Sequence, residues 1–255
     1  MSRKLRISIT NNWIYFFQAC LQQLIILVLT SITWAGDLPL IVIDPGHGGK
    51  NTGATGYHQS SEKKITLTLA SRIAKQLKGQ CEVLLTRKTD SHIPLLERTS
   101  MANNAQPMAF ISLHVGASFR LYPKGVRTYY WQSGQGESFY EHSITETESD
   151  NHPLLWDHLQ RYHLNSSKSL AQCVHNSILS HVNLYNRKIV GAPLFVLAGA
   201  DMPAILIEIA NITRPKSEKR LLHTPFLDKI ARGITHGIDQ FIKKNAYNLK
   251  TDLHY

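Results

Sequence analysis

The sequence predicts an α/β domain whose mostly parallel sheet is covered by helices on both faces. Two patterns carry this. Short, nearly continuous apolar runs alternate with longer amphipathic runs of helical period. The short runs do not alternate polar with apolar, as expected of strands buried on both sides. The bulk properties agree: 255 residues with 43% hydrophobic and 18% charged side chains suit one ordinary domain with a real core, or two small ones.

The elements follow in order. "MSRKLRISIT" is basic, the chain is strongly apolar from Leu24 to Leu29 and beyond, and Thr33-Trp34-Ala35 offers small residues where a signal peptidase reads. Residues 1–35 are therefore expected to be a signal peptide, with export of the remainder. The apolar run is short against the roughly 20 residues that span a bilayer, so no stable membrane span is expected after cleavage. "LPLIVID" is the first strand. It breaks into Pro45, Gly46, His47, Gly48 and Gly49, a loop that places one histidine among three glycines. Glycines allow sharp turns and close approach, and loops at strand ends carry function; an incidental turn histidine is the plain alternative. Ser61 to Lys78 is a helix, with Ile65, Leu69, Ile73 and Leu77 at four-residue spacing and Gly79 as its stop. "CEVLLT" is a strand, Pro94 to Asn104 a helix with proline in its first turn, "MAFISLH" and "GVRTYYW" further strands. Leu170 to Val182 is helical, "PLFVLAG" and "AILIEIA" are the last strands, and Thr224 caps a final helix with Phe226, Ile230, Ile234, Ile238 and Phe241 on one face. Residues 246–255 form a tail. Gln132 to Ser169 interrupts the alternation and is long for a plain loop.

The net charge is +10, and the first 35 residues contribute Arg3, Lys4 and Arg6 with no acid. A basic surface favours a polyanion: nucleic acid, anionic lipid or an acidic cell-wall polymer. No nucleic-acid-reading signature accompanies it, so nucleic acid is not the expected partner. Cys20 lies in the leader. Cys81 and Cys173 have no metal-like spacing and read as two buried small hydrophobes, with one disulfide as the alternative.

Three strand ends carry chemistry. The first runs into His47, "FISLH" ends in His114, and "ILIE" ends in Glu208, while Glu62 opens the helix after the His47 loop. In a parallel sheet these ends share one edge, where ligands sit. Two histidines and a carboxylate suit zinc with an open position, and a second carboxylate suits the base. Each residue also has a structural alternative: a strand-end histidine bonded to backbone, a glutamate favouring a helix N-terminus, a carboxylate in an apolar run paired with a cation.

The ordered set "IVIDPGHGGKNTGATG", "SEKKITLTLASRIAKQL", "VLLTRKTDSHIPLLERTSMAN", "AFISLHVGA", "GVRTYYW" and "PAILIEIANITRP" resembles the zinc-dependent N-acetylmuramoyl-L-alanine amidases, in the branch of the cell-separation amidases. The resemblance covers roughly residues 38–242 and implies a single catalytic domain, 38–245, with a twisted sheet of about six strands. It implies one zinc ion per chain held by His47, Glu62 and His114, Glu208 as the catalytic residue, and peptidoglycan as substrate. Arg87, Asp90 and Arg98 also match family positions; tying loops together is expected of them, with substrate contact as the alternative. The chain departs from the family at Gly116, where Asn is frequent, and after Glu208, where "IANITRP" replaces a Gly-Phe-x-x-Asn run. The 132–169 insertion matches the place where relatives carry a helix that blocks the site until an activator protein displaces it. Leu154, Leu155, Trp156 and Leu159 are its expected apolar face, with a solvated loop as the alternative. The periplasm is the expected location. The rival functions are another peptidoglycan-directed zinc peptidase and a non-enzymatic wall-binding protein.

Overall fold

A computed structural model describes residues 16, 18, 21–23, 38–116, 125–133 and 160–252, with side chains to 246. The described residues within 16–23 are helical. The signal-peptide expectation and the expected helix face Leu154–Leu159 otherwise lie outside the described residues. From Pro39 onward the chain is one compact unit. Its strands are β1 (Leu40–Pro45), β2 (Glu82–Leu85), β3 (Ala109–Gly116), β4 (Val126–Trp131), β5 (Asn186–Ala192) and β6 (Ala204–Asn211). Its helices are α1 (Glu62–Leu77), α2 (Leu95–Ala105), α3 (Leu164–His181), α4 (Pro215–Leu221) and α5 (Thr224–Asp252).

The six strands form one sheet in the order β2-β1-β3-β6-β4-β5. Every neighbouring pair is parallel except β4 with β6. Odd positions of the central strands face one side. Ile41, Ile43, Ile111, Leu113, Ile205 and Ile207 pack there against the apolar faces of α1, α3 and α5. Even positions face the other side, where Val42, Phe110 and Leu206 meet Ala102 of α2 and the segment around Leu197. Both faces are covered, unequally. The five expected apolar residues of α5 are all buried. Gly233 and Gly237 let α5 approach α3 closely: a Cβ at Gly237 would lie 2.5 Å from Val174 Cα.

Two expectations need correction. "PLFVLAG" is not a strand; Phe195–Leu197 is a single 3₁₀ turn, and the strand lies upstream at β5. The run is apolar because it lids the second face of the sheet, with Leu197 fully buried. Helix α3 begins at Leu164 rather than Leu170, so the end of the 132–169 segment is helical. The short helix α4 had not been expected. Cys81 and Cys173 are both free thiols, buried and half-buried respectively. Among the described residues no helix is long and apolar enough to cross a membrane.

On an exposed helix, Gly→Ala gains about 1 kcal/mol from propensity. Gly237→Ala should instead destabilise by about 1–3 kcal/mol, because the added methyl overpacks the α3–α5 contact. Urea unfolding of the two proteins checks this; a stabilised variant would show that the helices have room to part.

Candidate metal centre

The sheet order places a switch point between β1 and β3. From β1 the chain crosses through α1 to β2 on one side, then returns through α2 to β3 on the other. Loops leaving neighbouring strands at such a point diverge and open a crevice at their carboxyl ends. His47 follows β1, and His114 lies near the end of β3.

The crevice is built from a buried acid upward. Asp44, the last acid of β1, is fully buried. Its Oδ1 accepts hydrogen bonds from Arg98 Nη1 (2.7 Å) and Thr86 Oγ1 (2.6 Å), and its Oδ2 accepts from Ser112 Oγ (2.8 Å). Arg98 also donates to the carbonyls of Pro45 (3.0 Å) and His47 (2.9 Å). Arg87 donates to the carbonyls of Pro45, Gly46 and Lys63. Two buried guanidiniums thus grip the loop by its backbone. Asp90 accepts from the Gly49 N–H (2.8 Å) and from Lys63 Nζ (2.7 Å), and these partners hold its carboxyl below the usual range. Arg87, Asp90 and Arg98 are engaged with the loop in this way.

Held so, His47 adopts a left-handed φ of 62°, a conformation that costs energy outside glycine. Gly46 is required for a different reason. Its Cβ would lie 2.5 Å from the His114 ring, so a side chain there would occupy the space of the second histidine.

Glu62 is 4% exposed at the N-terminus of α1, and each of its oxygens serves one histidine. Oε2 lies 3.0 Å from His47 Nε2 and accepts from the Ala54 N–H (2.9 Å). Oε1 lies 3.0 Å from His114 Nδ1 and accepts from the Val115 N–H (2.9 Å). Burial opposes the charge on Glu62, but the bonds to His114 and His47 outweigh it and hold the carboxyl far below its usual range. Burial likewise opposes protonation of His47, and Glu62 reverses it, raising the imidazole above 6.5. Asn51 Oδ1, 2.9 Å from His47 Nδ1, fixes that ring from behind.

Donor atoms of His47, Glu62 and His114 all lie within 4.8 Å of one another. A tetrahedral ion with bonds of about 2.0–2.1 Å sets its donors about 3.3 Å apart. The two nitrogen-to-oxygen distances of 3.0 Å are close to that spacing, and two imidazoles with one carboxylate are donors that zinc accepts. The residues therefore fit a metal ion.

Glu208 stands beside this group. It pairs with His114 across β3–β6 and with Arg127 across β6–β4. Its side chain is 29% exposed, with Arg187 Nη1 3.7 Å from Oε2. The apolar run predicted a buried carboxylate in need of a metal, cation or proton; Glu208 is half-exposed and loosely paired with Arg187. A Cβ at Gly116 would lie 3.1 Å from the Ala210 carbonyl oxygen and in ordinary contact, 3.5 Å, with Glu208 Oε2. Asn51, Asp44, Arg187 and Arg127 were missed in the sequence. Only Asn51, four residues after His47, left a local signal.

Residues 41–240 match the family described as N-acetylmuramoyl-L-alanine amidase. The chain is 30% identical over 219 residues to the N-acetylmuramoyl-L-alanine amidase AmiA of Salmonella typhimurium, covering 80% of this chain and 76% of the relative. It is 26% identical over 227 residues to AmiC of Escherichia coli, covering 82% of this chain but only 54% of that protein. The crystal structure of N-acetylmuramoyl-L-alanine amidase from Clostridium difficile 630 superposes with a TM-score of 0.67 at 27% identity, covering 82% of this chain and 98% of that one.

Two outcomes are expected. Gly46→Ala should leave the fold cooperative yet weaken zinc binding at least tenfold, since the methyl displaces His114; calorimetric titration of the metal-free protein reads it. The pH dependence has a definite sign. With its pKa raised above 6.5, the protonated His47–Glu62 pair stabilises the metal-free protein below about pH 6.5, and this is lost as pH rises through the raised value. Metal must displace that proton, so zinc affinity should fall as pH drops, beginning above 6.5. Affinity that stays flat from about pH 8 to 5 would remove His47 from the ligand set.

Proposed function

Because the chain belongs to the N-acetylmuramoyl-L-alanine amidase family, we propose that it is a zinc-dependent hydrolase of peptidoglycan, cleaving the amide between the lactyl group of N-acetylmuramic acid and L-alanine of the stem peptide. His47, Glu62 and His114 would hold one zinc ion, and Glu208 would be the catalytic residue. The observation that carries this reading is the placement of Glu208 directly abreast of His114, beside three donors that fit a metal. When bound, zinc lowers the pKa of water from 15.7 to about 7 and polarises a carbonyl oxygen.

The chain's own residues supply the rest. Glu208, half-exposed at the strand end, accepts a proton at its carboxylate and delivers it to the leaving amine. Arg187 Nη1 lies 3.7 Å from that carboxylate. The backbone N–H groups of Ala54 and Val115 hold Glu62 so that both its oxygens face the histidines. Arg87 and Arg98 keep the His47 loop in its left-handed turn.

Export through the 1–35 leader, work in the periplasm in wall remodelling or daughter-cell separation, and control by an activator protein acting on 132–169 belong to the same proposal. The basic charge suits an acidic polymer as substrate.

Digestion of purified peptidoglycan by the mature protein, read by mass spectrometry, should release intact stem peptides and peptide-free glycan, and a chelator should stop it. Glu208→Ala should keep zinc and lose at least 100-fold in turnover; His114→Ala should lose both. Released single amino acids would identify a peptidase. Binding without products, in zinc-loaded protein lacking 134–153, would identify a wall-binding protein.

A further inference from the structure

Beyond β6 from His114, the same edge of the sheet carries a second feature. Because β4 runs antiparallel to β6, its first residue sits near the carboxyl end of β6, opposite Ile209. There Gly125, Asn183, Tyr185, Arg214, Lys216 and Arg220 line a cavity of about 370 Å³ whose walls include no acid. Arg220 is exposed: its guanidinium stacks 4.3 Å from the Phe226 ring centre and donates a long hydrogen bond to the Asn183 carbonyl. Lys216 is exposed on α4. Arg214 Nη1 is buried and has no hydrogen-bond partner among the described residues.

A buried charged donor with no acceptor is costly, so this arrangement is suited to an acceptor brought from outside. The nearest acid in sequence does not supply it. Glu218 is fully buried and accepts from the His58 and Ser60 N–H groups and from the Ser60 hydroxyl. Its charge is committed to the loop that leads into Glu62.

Position then narrows the ligand. Ala210, two residues beyond Glu208, lines the cavity. Neighbouring strands lie about 4.8 Å apart, and an extended peptide advances about 3.3 Å per residue. A peptide leaving the reacting amide beside Glu208 toward β4 therefore reaches the cavity within about two to four residues. We propose that the cavity between α4 and the start of β4 is a subsite for a carboxylate of the stem peptide, gripped by Arg214 with Lys216 and Arg220. This rests on the amidase reading above and assigns the direction in which the peptide lies: away from His47, across β6.

The test uses zinc-loaded mature protein, Arg214→Gln and Lys216→Gln, and soluble muropeptides with free or amidated carboxylates. Each variant should raise KM about tenfold for the free-carboxylate substrate with kcat within about twofold, and leave the amidated substrate unchanged. An equal KM rise on both substrates, or none on either, overturns the proposal. Lys216 is exposed, so its variant remains informative if Arg214→Gln folds poorly. Calorimetry of free stem peptide separates the two readings. Binding that weakens with salt and disappears in the variants supports the subsite even if no substrate is cleaved, in which case the amidase reading alone fails. Binding of inorganic phosphate but not of peptide would assign the cavity to another anion and overturn the proposal.

Discussion

The structure turns on the carboxylate of Asp44. It is fully buried at the end of β1, and burying an ionised acid is tolerable only when partners replace its water. Those partners come from three directions: Thr86 just after β2, Ser112 within β3, and Arg98 on α2. One side chain thereby locks two neighbouring strands and the helix that crosses the second face. The remaining donors of Arg98 continue to the carbonyls of Pro45 and His47. The core and the functional loop are consequently one network, and the strained φ of His47 is maintained by groups that also hold the sheet together.

A second buried carboxylate organises the site itself. Glu62 sits at the first turn of α1, where the helix dipole favours a negative charge, and it accepts two backbone N–H groups while facing two imidazoles. Burial works against the charge, and these contacts exceed that penalty. A site with one fixed anion and two imidazoles suits a divalent cation, because a cation can engage all three donors together. Rigidity around it comes from close packing: Gly46 gives its space to His114, and Arg87 fastens the opposite side of the loop.

On the β6 side the site is more open. Glu208 is half-exposed and, among the described residues, has a loose ion pair with Arg187. The contrast is physically sensible. Under the amidase reading proposed above, residues that hold a metal are kept immobile, whereas a proton carrier has to meet two different atoms in turn.

The sequence by itself marked the candidate site residues and which helix faces are buried. His47, Glu62, His114 and Glu208 stood at strand ends or a helix start, and α5 showed its buried stripe at helical period, because both signals are local. The family followed from the order of six motifs. Tertiary structure alone decided what lies next to what. Nothing near Asp44 announces Arg98, fifty-four residues on, as its partner. The antiparallel placement of β4 against β6, which brings Arg127 and the cationic cavity to the edge that holds Glu208, depends on strand pairing across the whole sheet. The apolar run "PLFVLAG" shows why: hydrophobicity reports burial, and a turn that lids a sheet is buried as thoroughly as a strand within it. Periodicity is written along the chain, whereas strand direction, crevice and charge partners arise only when distant segments compete for the same core.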